Sequence, residues 1–183
     1  MNKATVLFSG GLDSTALISF LLNQKIEVSA LHINYGQAAN KAEIKAAKTI
    51  TKYFKITLNI LNIKSGLTFS AGDILGRNAF LIFSALTFTN EDKNLIAIAI
   101  HSGTKYYDCS EVFFNKAASI VEDYSGGRIK LIAPFLNWSK AEIYVYCKKQ
   151  SIPIKLTHSC ESGDIAPCGM CLSCVDRKAF DVS

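Results

Sequence analysis

A short apolar, β-rich run, Thr5-Val6-Leu7-Phe8, passes into Ser9-Gly10-Gly11-Leu12-Asp13-Ser14. Next comes Ser14 to Leu22, where Ala16, Leu17, Phe20 and Leu21 recur at helical spacing. A strand that turns through glycines straight into a helix must lay that helix back across a sheet face. The same alternation continues down the chain. Glu27 to Ile33 and Ile56 to Ile60 read as strands around a Lys/Ala-rich amphipathic helix at Asn40 to Phe54. Helices are expected at Asn78 to Thr87 and Glu111 to Tyr124, and strands at Leu95 to Ile100 and Arg128 to Ala133. Ser139, with Glu142 three residues on, opens a helix to Lys149 as a capping box. Strands alternating with helices predict an α/β fold, a doubly wound parallel sheet of about five strands. Loops at the strand ends of such a sheet carry the site.

With 183 residues, one domain must hold everything. We expect an α/β domain over 1–152 and a segment over 153–183 packed on it. The composition, 49% hydrophobic and 19% charged with 3 prolines, excludes disordered and collagen-like classes. Apolar runs such as Leu95 to Ile100 fall far short of the ~20 residues that cross a bilayer, so no membrane partner is expected. No signal peptide is readable, and the expected compartment is the cytoplasm. A net charge of +5 helps attract phosphates but supplies no basic stripe, so nucleic acid is not an expected partner.

The loop after the first run carries chemistry. Gly10 and Gly11 let backbone N–H groups approach an anion, the following helix N-terminus adds partial positive charge, and Ser9 and Ser14 add hydroxyls. The pattern is neither a GxGxxG fingerprint nor a Walker A loop. Asp13 beside a phosphate repels it unless a cation intervenes, which points to Mg2+ between them. Near the other end, Cys160, Cys168, Cys171 and Cys174 form two interlocked C-x2-C pairs with one upstream thiol. Four thiolates complete tetrahedral coordination and leave no open position, so one structural Zn2+ per chain is the expectation. An iron–sulfur cluster and unmetallated thiols are the alternatives.

The glycine loop resembles the PP-loop of the ATP-pyrophosphatases, whose fold is Rossmann-like. That resemblance implies ATP cleavage between the α and β phosphates, with Phe8, Ser9, Gly10, Gly11, Leu12, Asp13, Ser14 and Thr15 around the nucleotide. His32, ending the second strand, falls where the backbone meets adenine. Further blocks follow in order: Asn34-Tyr35-Gly36-Gln37, Gly76-Arg77-Asn78, Asp108-Cys109, Pro134-Phe135 with Lys140-Ala141-Glu142-Ile143, Thr157-His158-Ser159-Cys160, and Pro167-Cys168-Gly169 through Cys174 to Arg177. Together they are similar to the 7-cyano-7-deazaguanine synthases of the queuosine pathway. The resemblance implies that 7-carboxy-7-deazaguanine is adenylated and converted by ammonia to the nitrile, in a homodimer. Under it Asp13, Arg77, Asp108 and Lys140 are the candidate catalytic residues. Arg77, Asn78, Asp108, Thr157 and Ser159 are candidates for the small-molecule carboxylate.

The chain also departs from that family. It is shorter, with the shortfall expected between Ile63 and Gly76. Ala38-Ala39 stand where Arg-His is usual, His101-Ser102-Gly103-Thr104 where an acidic loop is usual, and Glu161 where an aromatic is usual. These positions are expected mostly near the carboxylated base. They keep three other functions open: a paralogue adenylating another carboxylate, as in protein or DNA modification in defence or phage systems, a tRNA-thiolating enzyme, and a zinc-bearing binding module.

Overall fold

The computed structural model describes residues 2–64, 66–70, 74–89, 94–163 and 166–180. Five strands form one sheet: β1 (Lys3–Leu7), β2 (Glu27–Asn34), β3 (Thr57–Asn62), β4 (Leu95–Ala97) and β5 (Lys130–Ile132). Six helices accompany them: α1 (Leu12–Asn23), α2 (Asn40–Phe54), α3 (Arg77–Phe88), α4 (Glu111–Ser125), α5 (Lys140–Lys149) and α6 (Leu172–Ala179). The strand order is β3-β2-β1-β4-β5, and every pairing is parallel.

Period-two alternation divides the core. Ala4 and Val6 on β1 and Phe8 just beyond it, with Val28 and Ala30 on β2, face α1, α2 and α5. Leu7, Leu31, Ile33, Ile96 and Ile98 face α3 and α4. Each face is apolar and buried, and helices cover both, which is why these strands read as near-continuous apolar runs. Across the first face Phe20 of α1 meets Phe135 at 5.5 Å and Trp138 at 6.1 Å between ring centroids, and Phe135 is fully buried.

β4 is shorter than its apolar run. The ladder pairs end at Val6–Ala97 and Ala97–Ile132; Ile98 N still donates to Ile132 O at 3.0 Å, but β5 ends there and β1 one residue past Val6. Ile98 and Ile100 stay buried against α3 and α4 without being strand. Periodicity did not foretell two single-turn 3-10 helices, Tyr107–Cys109 and Ile154–Leu156, or α6 in the cysteine segment. Of the apolar tail residues, Leu172 is exposed, Phe180 stacks on Tyr144 at 5.0 Å, and Ile165 lies outside the described residues. Among the described residues no helix is long and apolar enough to cross a membrane.

Candidate active site

From β1 the chain runs outward through β2 to β3, then crosses to β4 and β5 on the other side of β1. The direction of winding reverses between β1 and β4. In open parallel sheets, ligands bind in the crevice beyond the carboxyl ends of the strands at this switch. The loop after β1 carries Ser9 to Gly11, and the loop after β4 carries His101 to Asp108, so the two segments flank it.

Gly10 has φ +78°, and a Cβ there would stand 2.9 Å from Ala46 Cβ, Ala47 N and Glu43 O, so only glycine lets the loop press against α2. Gly11 caps α1 in extended conformation with no side-chain hydrogen bond, leaving the first N–H groups of the helix directed into the crevice. Ser9 Oγ accepts from Gly11 N at 3.3 Å and lies 3.5 Å from Ser14 Oγ. Thr15 turns inward, donating to Gly11 O at 2.7 Å, and is buried with Phe8 and Leu12. Phe8, Leu12 and Thr15 therefore shape the loop from behind, while Ser9, Gly11 and Asp13 form its rim and Ser14, buried, donates to Gly11 O at 3.3 Å.

Lys140, first residue of α5, donates to both oxygens of Asp13, at 2.7 Å to Oδ1 and 2.5 Å to Oδ2. Both side chains are partly buried, at 20% and 25% exposure. His101 Nε2 approaches the same carboxylate, 3.9 Å from Oδ2. Burial lowers the His101 pKa, with the Asp13 carboxylate pulling the other way. The capping box at Ser139 and Glu142 forms as expected and sets the angle at which Lys140 leaves the helix.

His32 is buried, with Nδ1 3.0 Å from Phe8 O and Nε2 3.1 Å from Asn40 Oδ1. Both ring nitrogens are engaged, so the imidazole braces β1, β2 and α2 and offers a nucleotide only its backbone.

A second group gathers at the ends of β2 and α3. Burial raises the Tyr35 pKa against the pull of the nearby Arg77 guanidinium. Tyr35 packs edge-on against Phe69 and Phe80, each at 5.7 Å. Asp108 accepts from the Asn78 backbone N–H at 3.0 Å through Oδ2, capping α3 from a distant loop, and Asn78 Nδ2 returns a bond to Asp108 O at 3.0 Å. Burial, reinforced by Asp108, pushes the Cys109 thiol up to about 11, so it stays protonated and is no nucleophile at neutral pH.

The C-terminal segment lies across the glycine loop. His158 N donates to Gly10 O at 2.9 Å, and Ser159 Oγ stands 3.8 Å from where a Gly11 Cβ would be. Ser159 thus meets the loop. Thr157 does not: its hydroxyl donates to Ile154 O at 2.6 Å and accepts from Arg177 at 2.7 Å. Gly163, at φ +81°, passes against the Ala38 carbonyl where a Cβ would collide, so Ala38 abuts this strap. Glu161 accepts from Ser173 Oγ at 3.2 Å and ties the strap to α6. His101 stands at Asp13.

The four thiol sulfurs of Cys160, Cys168, Cys171 and Cys174 lie within 4.8 Å of one another. A tetrahedron with bonds of about 2.3 Å has edges of about 3.8 Å, so the cluster fits a four-thiolate metal. Backbone N–H groups of Cys168 and Cys171 point at the sulfurs of Cys160 and Cys168, at 3.3 and 3.4 Å. Such donors, chiefly from Cys171 and Met170, bring the Cys168 thiol down to about 6, favouring the thiolate a metal requires.

A sequence model of the family described as queuosine biosynthesis protein QueC matches residues 3–73 and 68–181. The matches meet within the stretch where the shortfall is expected. A 7-cyano-7-deazaguanine synthase of Acetivibrio thermocellus is 32% identical, covering 98% of this chain and 93% of the relative. One from Aquifex aeolicus is 28% identical over 94% of this chain and 93% of its own. The crystal structure of a predicted subunit of tRNA methyltransferase from Methanocaldococcus jannaschii superposes with a TM-score of 0.56, over 81% of this chain and 76% of that one. At 15% identity it shares the fold alone.

Proposed function

The chain belongs to the QueC family of queuosine biosynthesis, and from that premise we propose that its switch-point crevice makes 7-cyano-7-deazaguanine from 7-carboxy-7-deazaguanine, ammonia and ATP. It is an ATP-dependent carbon–nitrogen ligase. The observation that carries the site assignment is the Lys140–Asp13 pair at the open N-terminus of α1, beside the serines of the glycine loop.

A carboxylate resists ammonia because its oxygens leave badly. Attack of the carboxylate oxygen on the α-phosphorus gives an acyl-AMP and expels pyrophosphate. Ammonia then displaces AMP to form the amide, and a second activation of the amide oxygen allows dehydration to the nitrile. The chain's contribution is position and charge. The α1 N-terminus with Ser9 and Ser14 holds the departing pyrophosphate, and Lys140 shifts from Asp13 to a phosphate oxygen. Arg77 neutralises the substrate carboxylate, with Tyr35, Phe69 and Phe80 as the apolar wall for its flat base. Asn78 and Asp108 fix the start of α3 beneath Arg77, and Ser159 closes the loop from the strap. Asp13 would hold a Mg2+ ion, which would supply positive charge to offset the phosphates. Cys160, Cys168, Cys171 and Cys174 would hold a Zn2+ ion, whose contribution would be to order the strap.

A homodimer in the cytoplasm belongs to the same reading. The exposed Phe88, Ile120 and Tyr124 on α3 and α4 support a face for a second copy, and light scattering measures it. Incubation with 7-carboxy-7-deazaguanine, ammonium and Mg-ATP should yield AMP and the nitrile. ADP as sole nucleotide product, or no nitrile, sinks the proposal.

A further inference from the structure

The loop after β4 carries a histidine that no motif assigned. His101 is held from three directions. Ser102 donates to Trp138 O through both its N–H, at 3.0 Å, and its hydroxyl, at 2.7 Å, which clamps the loop to the segment entering α5. Gly103 N donates to His101 Nδ1 at 3.1 Å. A Cβ on Gly103 would stand 3.0 Å from Nδ1 and 3.1 Å from Cε1, with Lys140 N at 3.6 Å, so glycine lets the ring approach the backbone this closely beside the α5 N-terminus. The side chain is 11% exposed.

An amide N–H can donate only to a ring nitrogen that carries a lone pair. Nδ1 is therefore bare and the ring hydrogen sits on Nε2, the atom that faces Asp13. Asp13 thus has Lys140 on both oxygens and a second donor waiting at 3.9 Å. When Lys140 moves to a phosphate, the partly buried carboxylate loses the two hydrogen bonds that fix its orientation. We propose that His101 is a positioning residue for ATP cleavage: its Nε2–H closes on Asp13 as Lys140 leaves and keeps that carboxylate aimed at the nucleotide. The inference rests on the ligase reading of the crevice and adds a residue to it.

Steady-state AMP formation by wild type, His101→Phe, His101→Gln and Gly103→Ala tests the role, together with nitrogen-15 histidine spectra of nucleotide-free wild type and Asp13→Asn at one pH. Loss of a bond to a charged group should lower kcat in His101→Phe roughly tenfold or more, with KM for ATP moving less than about threefold. His101→Gln, which places a carboxamide N–H near Nε2, should recover most of kcat, and Gly103→Ala should mimic His101→Phe. The spectrum should show the Nε2–H tautomer, with its Nε2 resonance shifted by Asp13→Asn. Unchanged kcat in His101→Phe, a glutamine variant as slow as the phenylalanine one, an Nδ1–H tautomer, or a resonance indifferent to Asp13→Asn each overturns the proposal. A wild type that forms no AMP overturns the ligase reading instead, and the spectrum still decides the placement of His101.

Discussion

Lys140 and Asp13 sit 127 positions apart and meet because α5 and α1 start at the same edge of the sheet. Partly exposed ion pairs contribute little to stability, about 1 kcal/mol or less, so this pair is weak as a structural bond. In the proposed reading its use is catalytic. Lys140→Met should leave the melting temperature within a few degrees of wild type, by about 1 kcal/mol at most. It should lower kcat by roughly 10²–10³, the usual cost of removing one pre-aimed charge donor. Thermal melts and AMP assays on one preparation separate the effects, and a large melting shift with normal turnover would contradict the assignment. Gly10 and Gly163 are the opposite kind of residue, set by packing, since a methyl at either meets α2 or the Ala38 carbonyl.

At the scale of elements, α5 depends on its first turn. Ser139 Oγ accepts from Glu142 N at 3.2 Å and Glu142 Oε2 accepts from Ser139 N at 2.7 Å. The Ser139 N–H, joined by the Ser139 hydroxyl donating to the same oxygen at 2.8 Å, stabilises the charged carboxylate and holds the Glu142 pKa below its ordinary 4.5. A carboxyl with a lowered folded pKa stabilises the native state above its unfolded value, and that contribution is lost as pH falls through the folded value. Wild type should therefore exceed Glu142→Gln in unfolding free energy at pH 6, and the gap should shrink as pH drops from about 4.5 downward. Urea titrations across that range measure it, and a gap independent of pH would show the box to be uncharged in effect. The same turn presents Lys140, so the cap serves the site as well as the helix.

Over the whole molecule, the strap from His158 to Gly163 couples the cysteine cluster to the glycine loop through the His158–Gly10 bond and the Gly163–Ala38 contact. Neither α6 nor the strap adds a strand to the sheet. Metal analysis should find one zinc per chain. Stripping it with a chelator should abolish AMP formation while circular dichroism retains most of the sheet and helix signal, because both apolar clusters lie mainly in the five-stranded body. Retained activity without metal would uncouple the strap from the site. Iron in place of zinc would reassign the cluster.

The sequence by itself determined the elements and their order, because apolar periodicity, glycine punctuation and the Ser139–Glu142 cap are local signals. It also determined the residue types of the site, since the glycine loop and the C-x2-C pairs are contiguous. Contacts between distant segments were not legible, for they depend on winding direction about β1 and not on any local pattern. Only the tertiary structure paired Lys140 with Asp13, turned Thr157 away toward Arg177, made Asp108 the cap of α3 and engaged both nitrogens of His32. It alone brought His101 to Asp13. The loops after β1 and β4 are 90 residues apart in the chain and become neighbours only because those two strands are hydrogen-bonded side by side.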